Sequence, residues 1–393
     1  MTDMCEGVAV GVITEPEDKY LNVKVVEIDF HESYPTANNK TKVKAPHWPA
    51  AKYQFKYSAK PAVLKVGKKS KAKVKVEVDC KGVSGNGKLK GVINGFELEG
   101  DIKLSNGTQD VEVTLLDPPD SIRWLKGQVS WGVEGCGLSS GAGNTFVELF
   151  FVLANPAVFA FFRKAGVWAE ALRFLFENGR VSGVKDKKSA AIEVTECCFK
   201  YKYHKYEITG GAPQFGGGDN VFMLEGYMDT IEGEVNCYDQ TYAVIVFSGA
   251  LGVEVGGLYM NIFGYLSKTN LVGWGECNNP FPDKKLEAEK KRLRVPGFLK
   301  EAAARMLRMK PEDYLVVAPD DPDRQAFGNH MYCLYQANTF DACAGPEKGS
   351  RDLPAYIAAN IDATTSLNRN PFPGTIHDVR DYEAVGAAVI EVK

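Results

Sequence analysis

Residues 71–79 alternate strictly between charged and apolar side chains, and this pattern limits the fold more than any other feature of the chain. Lysine or an acidic residue stands at each odd position, and alanine or valine stands at each even position. Because side chains along a β-strand point to opposite faces in turn, this period of two predicts a strand with one buried and one solvated face. Strands of this kind are typical of antiparallel sheets.

Turn signals recur along the same part of the chain. Asn94-Gly95 separates two short apolar segments, which favours a two-residue hairpin. Further turns are expected at residues 84–87, at Asn106-Gly107 and at residues 117–120. Short strands between turns at intervals of about 8–12 residues predict an antiparallel β-sandwich of the immunoglobulin-like kind.

The chain is expected to be an α+β protein with two domains. Its 393 residues correspond to about two domains at roughly 100–200 residues each. The small residues from Gly137 to Asn144 predict a flexible segment near the boundary. The β-sandwich would then span residues 1–145, and an α+β domain would span residues 146–393, with a core from about residue 189 onward.

The longest uncharged apolar run, from Leu149 to Phe162, is interrupted by Asn155-Pro156. It is shorter than the roughly 20 residues that a helix needs to cross a bilayer. We interpret it as a buried strand followed by a helix from Pro156 to Asn178. No transmembrane segment is expected.

Composition limits the classes of partner. The net charge of −3 gives no global field that would attract nucleic acid or an anionic membrane. The lysine-rich stretch from residue 65 to residue 90 is interpreted as the solvated face of a strand. The nine cysteines lack zinc-binding spacing and are expected to be reduced thiols. With no Sec-type signal at the N-terminus, we expect a cytoplasmic protein and leave export by another route open. No cofactor or metal is expected.

Cys237 is expected to begin an apolar helix. Apolar residues at positions 243, 246, 247, 250 and 251 have the spacing of one buried helix face, and Gly252 stands where a C-cap belongs. Unpaired amides in the first turn of a helix stabilise a thiolate and can stabilise an oxyanion. Cys237 is therefore the candidate nucleophile, and its backbone N–H is the first candidate oxyanion donor.

His330 and Asp341 are the candidate general base and the acid that orients it. The residues after His330 alternate as a strand, and a turn around Ala337-Asn338 is expected to reverse the chain. Asp341 would then lie opposite Leu334, on the face that also holds His330. Strand twist or a bulge must close the remaining gap between the two side chains.

Both roles have second candidates. Asp352 is an alternative acid, and His377 is an alternative base. Residues 200–208 alternate lysine with tyrosine or histidine and predict a surface strand. The remaining histidines are expected to lie in the sandwich or on this strand: His31, His47 and His204.

These motifs resemble the transglutaminase-like cysteine superfamily. The resemblance rests on residues 236–240 with the helix that follows, on His330, and on Asp341, in the order Cys, His, Asp. It covers roughly residues 189–393 and implies a papain- or transglutaminase-like α+β domain. By this resemblance, Cys237 would be the nucleophile, His330 the general base and acid, and Asp341 the orienting residue.

The resemblance implies an enzyme that transfers acyl groups from protein or peptide amides by hydrolysis, deamidation or transamidation. Asn236, Tyr238 and Trp274 are the candidate substrate-binding residues, and Trp274 would either stack on the substrate or cover the core edge. Two other functions remain open. One is a binding protein that has this fold without the chemistry, and the other is a secreted effector that modifies a target protein.

Overall fold

The computed structural model describes residues 19–38, 41–43, 47–49, 60–208, 211–216, 219–260, 265–267, 269–278, 329–362 and 389–393 of the chain. The described part is rich in strands, and its α-helices follow residue 168, so the structure agrees with the α+β class at this coarse level. The strands before the first α-helix are β1 (Tyr20–Asp29), β2 (Thr36–Asn38), β3 (Thr41–Lys42), β4 (His47–Pro49), β5 (Ala62–Lys65), β6 (Lys71–Lys81), β7 (Asn86–Ile93), β8 (Phe96–Lys103), β9 (Gly107–Leu115), β10 (Arg123–Gly135), β11 (Leu138–Val152) and β12 (Val167–Trp168).

The described residues after β12 carry the helices and shorter strands. Its α-helices are α1 (Ala169–Asn178), α2 (Lys187–Lys200), α3 (Leu224–Asp229), α4 (Cys237–Ala250) and α5 (Leu353–Asn360). Its strands are β13 (His204–Tyr206), β14 (Val221–Phe222), β15 (Gly233–Val235), β16 (Gly256–Met260), β17 (Tyr265–Leu266), β18 (Thr269–Leu271), β19 (Gly275–Cys277), β20 (His330–Tyr335), β21 (Asn338–Asp341), β22 (Glu347–Asp352), β23 (Ile361–Asp362) and β24 (Glu391–Val392).

Nine strands form one large sheet in the order β4-β1-β6-β9-β8-β7-β10-β11-β5. Neighbouring strands are antiparallel except β11 and β5, which are parallel. Strands β1 and β11 lie near opposite edges of this sheet, yet they also pack against each other. Val23 of β1 and Leu149 of β11 belong to the same hydrophobic core. The sheet therefore curls around its own core, and the antiparallel, β-rich character predicted for this region is confirmed.

The alternating segment forms β6 as predicted. Val74 and Val76 are fully buried, whereas Lys73 and Glu77 are exposed. The hairpin at Asn94-Gly95 is also confirmed. These two residues have φ values of 48° and 83° and join β7 to β8, as a two-residue hairpin turn requires.

The segment from Gly137 to Asn144 was predicted to be flexible, and this prediction is wrong. Leu138–Val152 is one strand, and Asn144 lies opposite Ser130 in the β10-β11 hairpin. Pairing along the ladder determines the conformation here, because its backbone hydrogen bonds hold small residues as well as large ones. The boundary expected at residue 145 falls inside this strand, and the division into two domains stays a prediction.

The helix predicted from Pro156 to Asn178 is confirmed only in its second half. Residues 156–158 and 160–162 form two 3-10 turns, and the α-helix begins at Ala169. Gly166 has a φ of 97°, a conformation that a helix cannot contain, and the strand β12 follows it directly. The chain direction therefore changes at Gly166, where the composition alone favoured a continuous helix.

A buried ion pair connects α1 to the large sheet. Arg173 on α1 donates from Nε and Nη2 to the two carboxylate oxygens of Glu148 on β11, at 3.0 and 2.7 Å. The Arg173 Nη1 group donates to Oδ1 of Asn38 at 3.0 Å. Glu148 is fully buried and Arg173 is 7% exposed. This bidentate ion pair therefore buries two opposite charges, and each charge offsets the free-energy cost of burying the other.

Helix α4 lies at the centre of the second region. Helices α1 and α2 pack against it, and so do β20 and β16 of the four-stranded sheet β16-β20-β21-β22. The sequence predicted one buried face, but every residue of α4 except Tyr238 is buried. A helix that is covered from several directions is apolar almost all round, so the single-face expectation underestimated its burial.

The β20-β21 hairpin differs from its prediction by one residue. Its turn is Gln336-Ala337, with φ values of 50° and 63°, and not Ala337-Asn338. Leu334 therefore lies opposite Thr339, and the predicted pairing of Leu334 with Asp341 is wrong. The shift moves Asp341 along the sheet toward His330, while both stay on the same face.

His204 was predicted to lie on a surface strand, and this is wrong. Helix α2 continues through Lys200, only His204–Tyr206 form a strand, and His204 is 3% exposed. Rings of Tyr201, Phe215 and Tyr227 surround its imidazole. Burial lowers the pKa of His204 to about 4, which makes it a neutral core residue at neutral pH.

Two other expectations have simpler outcomes. No helix in the described part of the chain is long and apolar enough to cross a membrane. The alternative base His377 lies outside the described residues.

Candidate active site

Cys237 is the first residue of α4, as the sequence predicts. Asn236 caps the helix, because its side-chain oxygen accepts hydrogen bonds from the amides of Tyr238 at 2.9 Å and Asp239 at 3.2 Å. The Asp239 carboxylate accepts in return from the Asn236 amide at 3.0 Å, which completes a capping box. These bonds fix the position of Cys237 relative to the helix axis.

The backbone N–H of Cys237 is the amide that this cap leaves open. The cap binds the next two amides, and the Gln240 amide donates to the Asn236 carbonyl at 3.1 Å. Within the described residues, no acceptor lies on the Cys237 amide. An open amide at the N-terminus of a helix, carried by the same residue as the thiol, is a suitable donor to an oxyanion.

His330 lies between Cys237 and Asp341. Its Nε2 atom is 2.9 Å from Oδ2 of Asp341, and its side chain also forms a hydrogen bond with Cys237. Since Nε2 contacts the carboxylate, Nδ1 is the ring nitrogen that remains for the thiol. His330 is 5% exposed, Asp341 1% and Cys237 5%, so the three groups meet where water screens them little.

His330 and Asp341 determine each other's charge. Burial lowers the pKa of His330, but the charge and hydrogen bond of Asp341, together with the bond to Cys237, outweigh burial and raise the pKa to about 10. Burial raises the pKa of Asp341, but its interactions with His330 and with Tyr356 outweigh burial and lower the pKa. At neutral pH the pair is therefore an imidazolium and a carboxylate.

The Asp341 carboxylate is held at both oxygens. Oδ1 accepts hydrogen bonds from the amides of Cys343 at 2.7 Å and Ala344 at 3.2 Å. Oδ2 accepts from the Tyr356 hydroxyl at 2.5 Å and contacts His330. The alternative acid Asp352 instead accepts from the Ala355 amide at 2.9 Å, at the start of α5.

Asp239 ties a neighbouring loop to the start of α4. Its carboxylate accepts hydrogen bonds from the amides of Gln214, Phe215 and Gly216 at 2.9, 2.7 and 2.6 Å, besides that of Asn236. Burial raises its pKa to about 6, although these four bonds lower it. The side-chain amide of Asn236 adds a bond to the Gly211 carbonyl at 2.7 Å. The loop is thus anchored next to the candidate nucleophile.

The three candidate substrate-binding residues have different surroundings. Asn236 is 1% exposed and serves as the helix cap. Tyr238 is half-buried, and its hydroxyl donates to Oδ1 of Asn329 at 3.3 Å. Trp274 is half-buried as well, and its indole N–H donates to the Tyr206 carbonyl at 3.1 Å. The roles of these residues in substrate binding stay predictions.

Sequence reasoning missed two tyrosines near the site. Tyr356 contacts both Asp341 and His330. The side chain of Tyr206 is buried and lies close enough to Cys237 and Cys343 for their charges to add to the effect of burial, which raises its pKa. For Tyr356 a signal was present, since Asp352 followed by Leu-Pro is a helix-start pattern and would have predicted α5. Nothing in the alternation around Tyr206 distinguished it from the tyrosines at 201 and 203.

Other charged and nucleophilic groups are dispersed. Among the described residues, no group of three or more histidine, cysteine or acidic side chains is placed to hold a metal ion. Lysines of the large sheet pair with acids on neighbouring strands, as Lys71 does with Glu112 and Lys90 with Glu134. This mixed surface agrees with the interpretation of the lysine-rich stretch as a solvated strand face.

Comparison of the sequence with models of known protein families found no match, and comparison with curated proteins found none either. The geometry around Cys237 consists of a thiol at a capped helix N-terminus, a buried imidazole that forms a hydrogen bond with this thiol, and a carboxylate that forms a hydrogen bond with the imidazole.

Proposed function

We propose that the protein is a cysteine-dependent acyl-transfer enzyme that acts on amides of proteins or peptides. The observation that carries the proposal is the buried His330 side chain, which forms hydrogen bonds with Cys237 and with Asp341. A nucleophile, a base within hydrogen-bond reach and a third group that orients the base are the parts that covalent acyl transfer requires.

In this mechanism the proton that Cys237 and His330 exchange resides on the imidazole, in keeping with the raised pKa of His330, and the Cys237 thiolate attacks the substrate carbonyl carbon. The carbonyl oxygen becomes an oxyanion, and the open Cys237 N–H donates to it. The imidazolium then gives its proton to the leaving amine, the carbon–nitrogen bond breaks, and a thioester forms. Water, or an amine in transamidation, then attacks the thioester carbonyl carbon while the neutral imidazole takes its proton. The carbon–sulfur bond breaks, the acyl product leaves, and the thiolate and the imidazolium are restored.

The finer fold assignments belong to the same proposal. The curled antiparallel sheet supports an immunoglobulin-like domain over residues 1–145, and a cysteine helix followed by a hairpin with histidine and aspartate supports a transglutaminase-like domain over residues 146–393. The first region would dock the protein substrate. The enzyme would work in the cytoplasm, where its cysteines stay reduced.

One observation favours a second candidate, a binding protein that has this site without turnover. Cys237 is only 5% exposed, so a substrate carbonyl must reach a nearly covered sulfur atom. In a binding protein of this kind the three residues would stabilise the fold, and small acylating agents would react no faster at Cys237 than at a structural thiol.

Acylation by p-nitrophenyl acetate separates these two functions. The enzyme should release p-nitrophenolate in a burst and carry one acetyl group on Cys237, found by peptide mapping and removed by hydroxylamine. Cys136 is exposed in the turn between β10 and β11, where its thiol donates to the Ser84 carbonyl, so it serves as the internal comparison. Acetylation of Cys237 that outpaces that of Cys136 and is lost in His330→Asn supports the enzyme. Acetylation of Cys136 alone contradicts it.

A further inference from the structure

Tyr356 forms the shortest hydrogen bond around Asp341. It lies on α5 and is 1% exposed. Its hydroxyl is 2.5 Å from Oδ2 of Asp341 and 3.1 Å from Nε2 of His330. Because His330 contacts the same Oδ2 atom at 2.9 Å, the phenol, the imidazole and the carboxylate share one oxygen.

The hydrogen atoms of this group can be assigned by elimination. Burial, followed by the Asp341 charge, raises the pKa of Tyr356 above its ordinary value, so the phenol keeps its hydrogen at neutral pH. A carboxylate can only accept, so that single hydrogen is donated to Asp341, and the phenol oxygen is left as an acceptor. Both partners of Nε2 are then acceptors, which keeps a hydrogen on Nε2 and leaves Nδ1 to exchange a proton with Cys237.

Tyr356 and His330 compete for the same negative charge. A hydrogen bond to a carboxylate is about twice as strong as one between neutral groups, so the phenol takes up part of the charge on Oδ2 that would otherwise stabilise the imidazolium. The 3.1 Å contact between the phenol oxygen and Nε2 acts in the opposite direction but involves a neutral oxygen. The stronger bond, to the carboxylate, decides the net effect.

We propose that Tyr356 is a positioning residue that sets how firmly His330 holds the proton it exchanges with Cys237. The proposal rests on the proposed acyl-transfer function for its purpose, because an imidazole that binds its proton too tightly delivers it slowly to a leaving amine. Its physical content concerns His330 alone and can be measured without a substrate.

Tyr356→Phe removes the hydroxyl and keeps the ring. Titration of the full-length protein labelled with ¹⁵N-histidine should place the midpoint of His330 about half a pH unit or more above that of the wild type. The Nε2 proton resonance should move downfield, because its bond to Asp341 becomes stronger. The matched control is Tyr201→Phe, which removes another buried hydroxyl, bonded to the Met228 carbonyl at 2.8 Å, and should leave both signals unchanged.

A second variant keeps the test valid if Tyr356→Phe unfolds. Replacement of Tyr356 by 3-fluorotyrosine keeps the hydroxyl, makes it a stronger donor, and should move the His330 midpoint downward. A downward shift with 3-fluorotyrosine supports the proposal on its own, as does an upward shift in Tyr356→Phe. An unchanged midpoint, or a shift of the opposite sign in either variant, would overturn it.

The two proposals fail in different ways. If Cys237 resists acylation while Tyr356→Phe shifts the His330 midpoint, the positioning role stands and the acyl-transfer function falls. If Cys237 is acylated in a His330-dependent manner and the midpoint does not move in Tyr356→Phe, the acyl-transfer function stands and the role of Tyr356 is wrong.

Discussion

The two regions of the molecule place their charges in opposite ways. In the nine-stranded sheet, charged pairs such as Lys71–Glu112 and Lys90–Glu134 lie on the solvated face. In the region around α4, His330–Asp341 is buried. Exposed pairs contribute little to stability, whereas a buried charge left without its partner is costly. The exposed pairs of the sheet should therefore tolerate substitution, whereas the buried pair beside α4 and the pair that Glu148 of the sheet forms with Arg173 should not.

The largest effect is expected where the two regions meet. Glu148→Gln removes the buried carboxylate from the Arg173 guanidinium, and the more exposed Glu170, 3.6 Å from Nη1, compensates for it only in part. We therefore expect a loss of about 3–5 kcal/mol in the free energy of unfolding. Urea unfolding followed by circular dichroism measures it. The matched control is Glu112→Gln, which breaks an exposed pair on the same sheet. Equal losses of unfolding free energy in the two variants would show that buried and exposed ion pairs contribute alike to stability, which would contradict the contrast drawn between them.

The stability of the candidate site should depend on pH in a way that identifies His330. Its pKa in the folded protein, about 10, lies above its ordinary value of 6.5. The stabilisation is therefore complete below about pH 6.5 and is lost as the pH rises through 10. Compared with His330→Asn, the wild type should lose its stability advantage between these values in urea titrations. An advantage that is constant with pH would mean that the imidazole is neutral in the folded protein.

Asp239→Asn tests the anchoring of the loop on α4. The substitution replaces one accepting oxygen by an NH₂ group that faces backbone amides, so at least one buried donor loses its partner. We expect a loss of about 2–3 kcal/mol, together with faster hydrogen exchange of the amides of Gln214, Phe215 and Gly216. Stability loss without faster exchange in this loop would show that Asp239 acts only as a helix cap.

The smallest effect is expected for the lysines of the large sheet. Lys71→Ala removes an exposed ion pair with Glu112, and we expect the midpoint of urea unfolding to stay within experimental error in 0.15 M salt. A clear loss of stability would show that the exposed ion pairs of the sheet stabilise the fold. The exposed pairs would then differ less from the buried pair His330–Asp341 in their contribution to stability.

The sequence predicts those parts of the fold that local patterns determine. The alternation in β6, the Asn94-Gly95 turn and the start of α4 at Cys237 each depend on residues close together in the chain. Each was identified from spacing and turn chemistry alone. The sequence also predicts that Cys237, His330 and Asp341 form one site, and the structure brings these three side chains together.

The remaining features depend on contacts between distant segments. The full burial of α4 and of His204 results from helices and rings that pack on them from elsewhere in the chain. The hairpin register could not be fixed, because Gln336-Ala337 carries none of the glycine or asparagine residues that mark such a turn. Tyr356 reaches Asp341 only through the packing of α5, which the strand pattern does not encode.

The central claim is that Cys237 is a nucleophile activated by His330, and alkylation by iodoacetamide tests it most directly. Labelling rates of Cys237 are measured by peptide mapping from pH 5 to pH 10 in the wild type and in His330→Ala, with exposed Cys136 as the internal reference. We expect Cys237 to label faster than Cys136 near neutral pH in the wild type and to lose this advantage in the variant. Labelling of Cys237 that is slower than that of Cys136 in both proteins would contradict the claim.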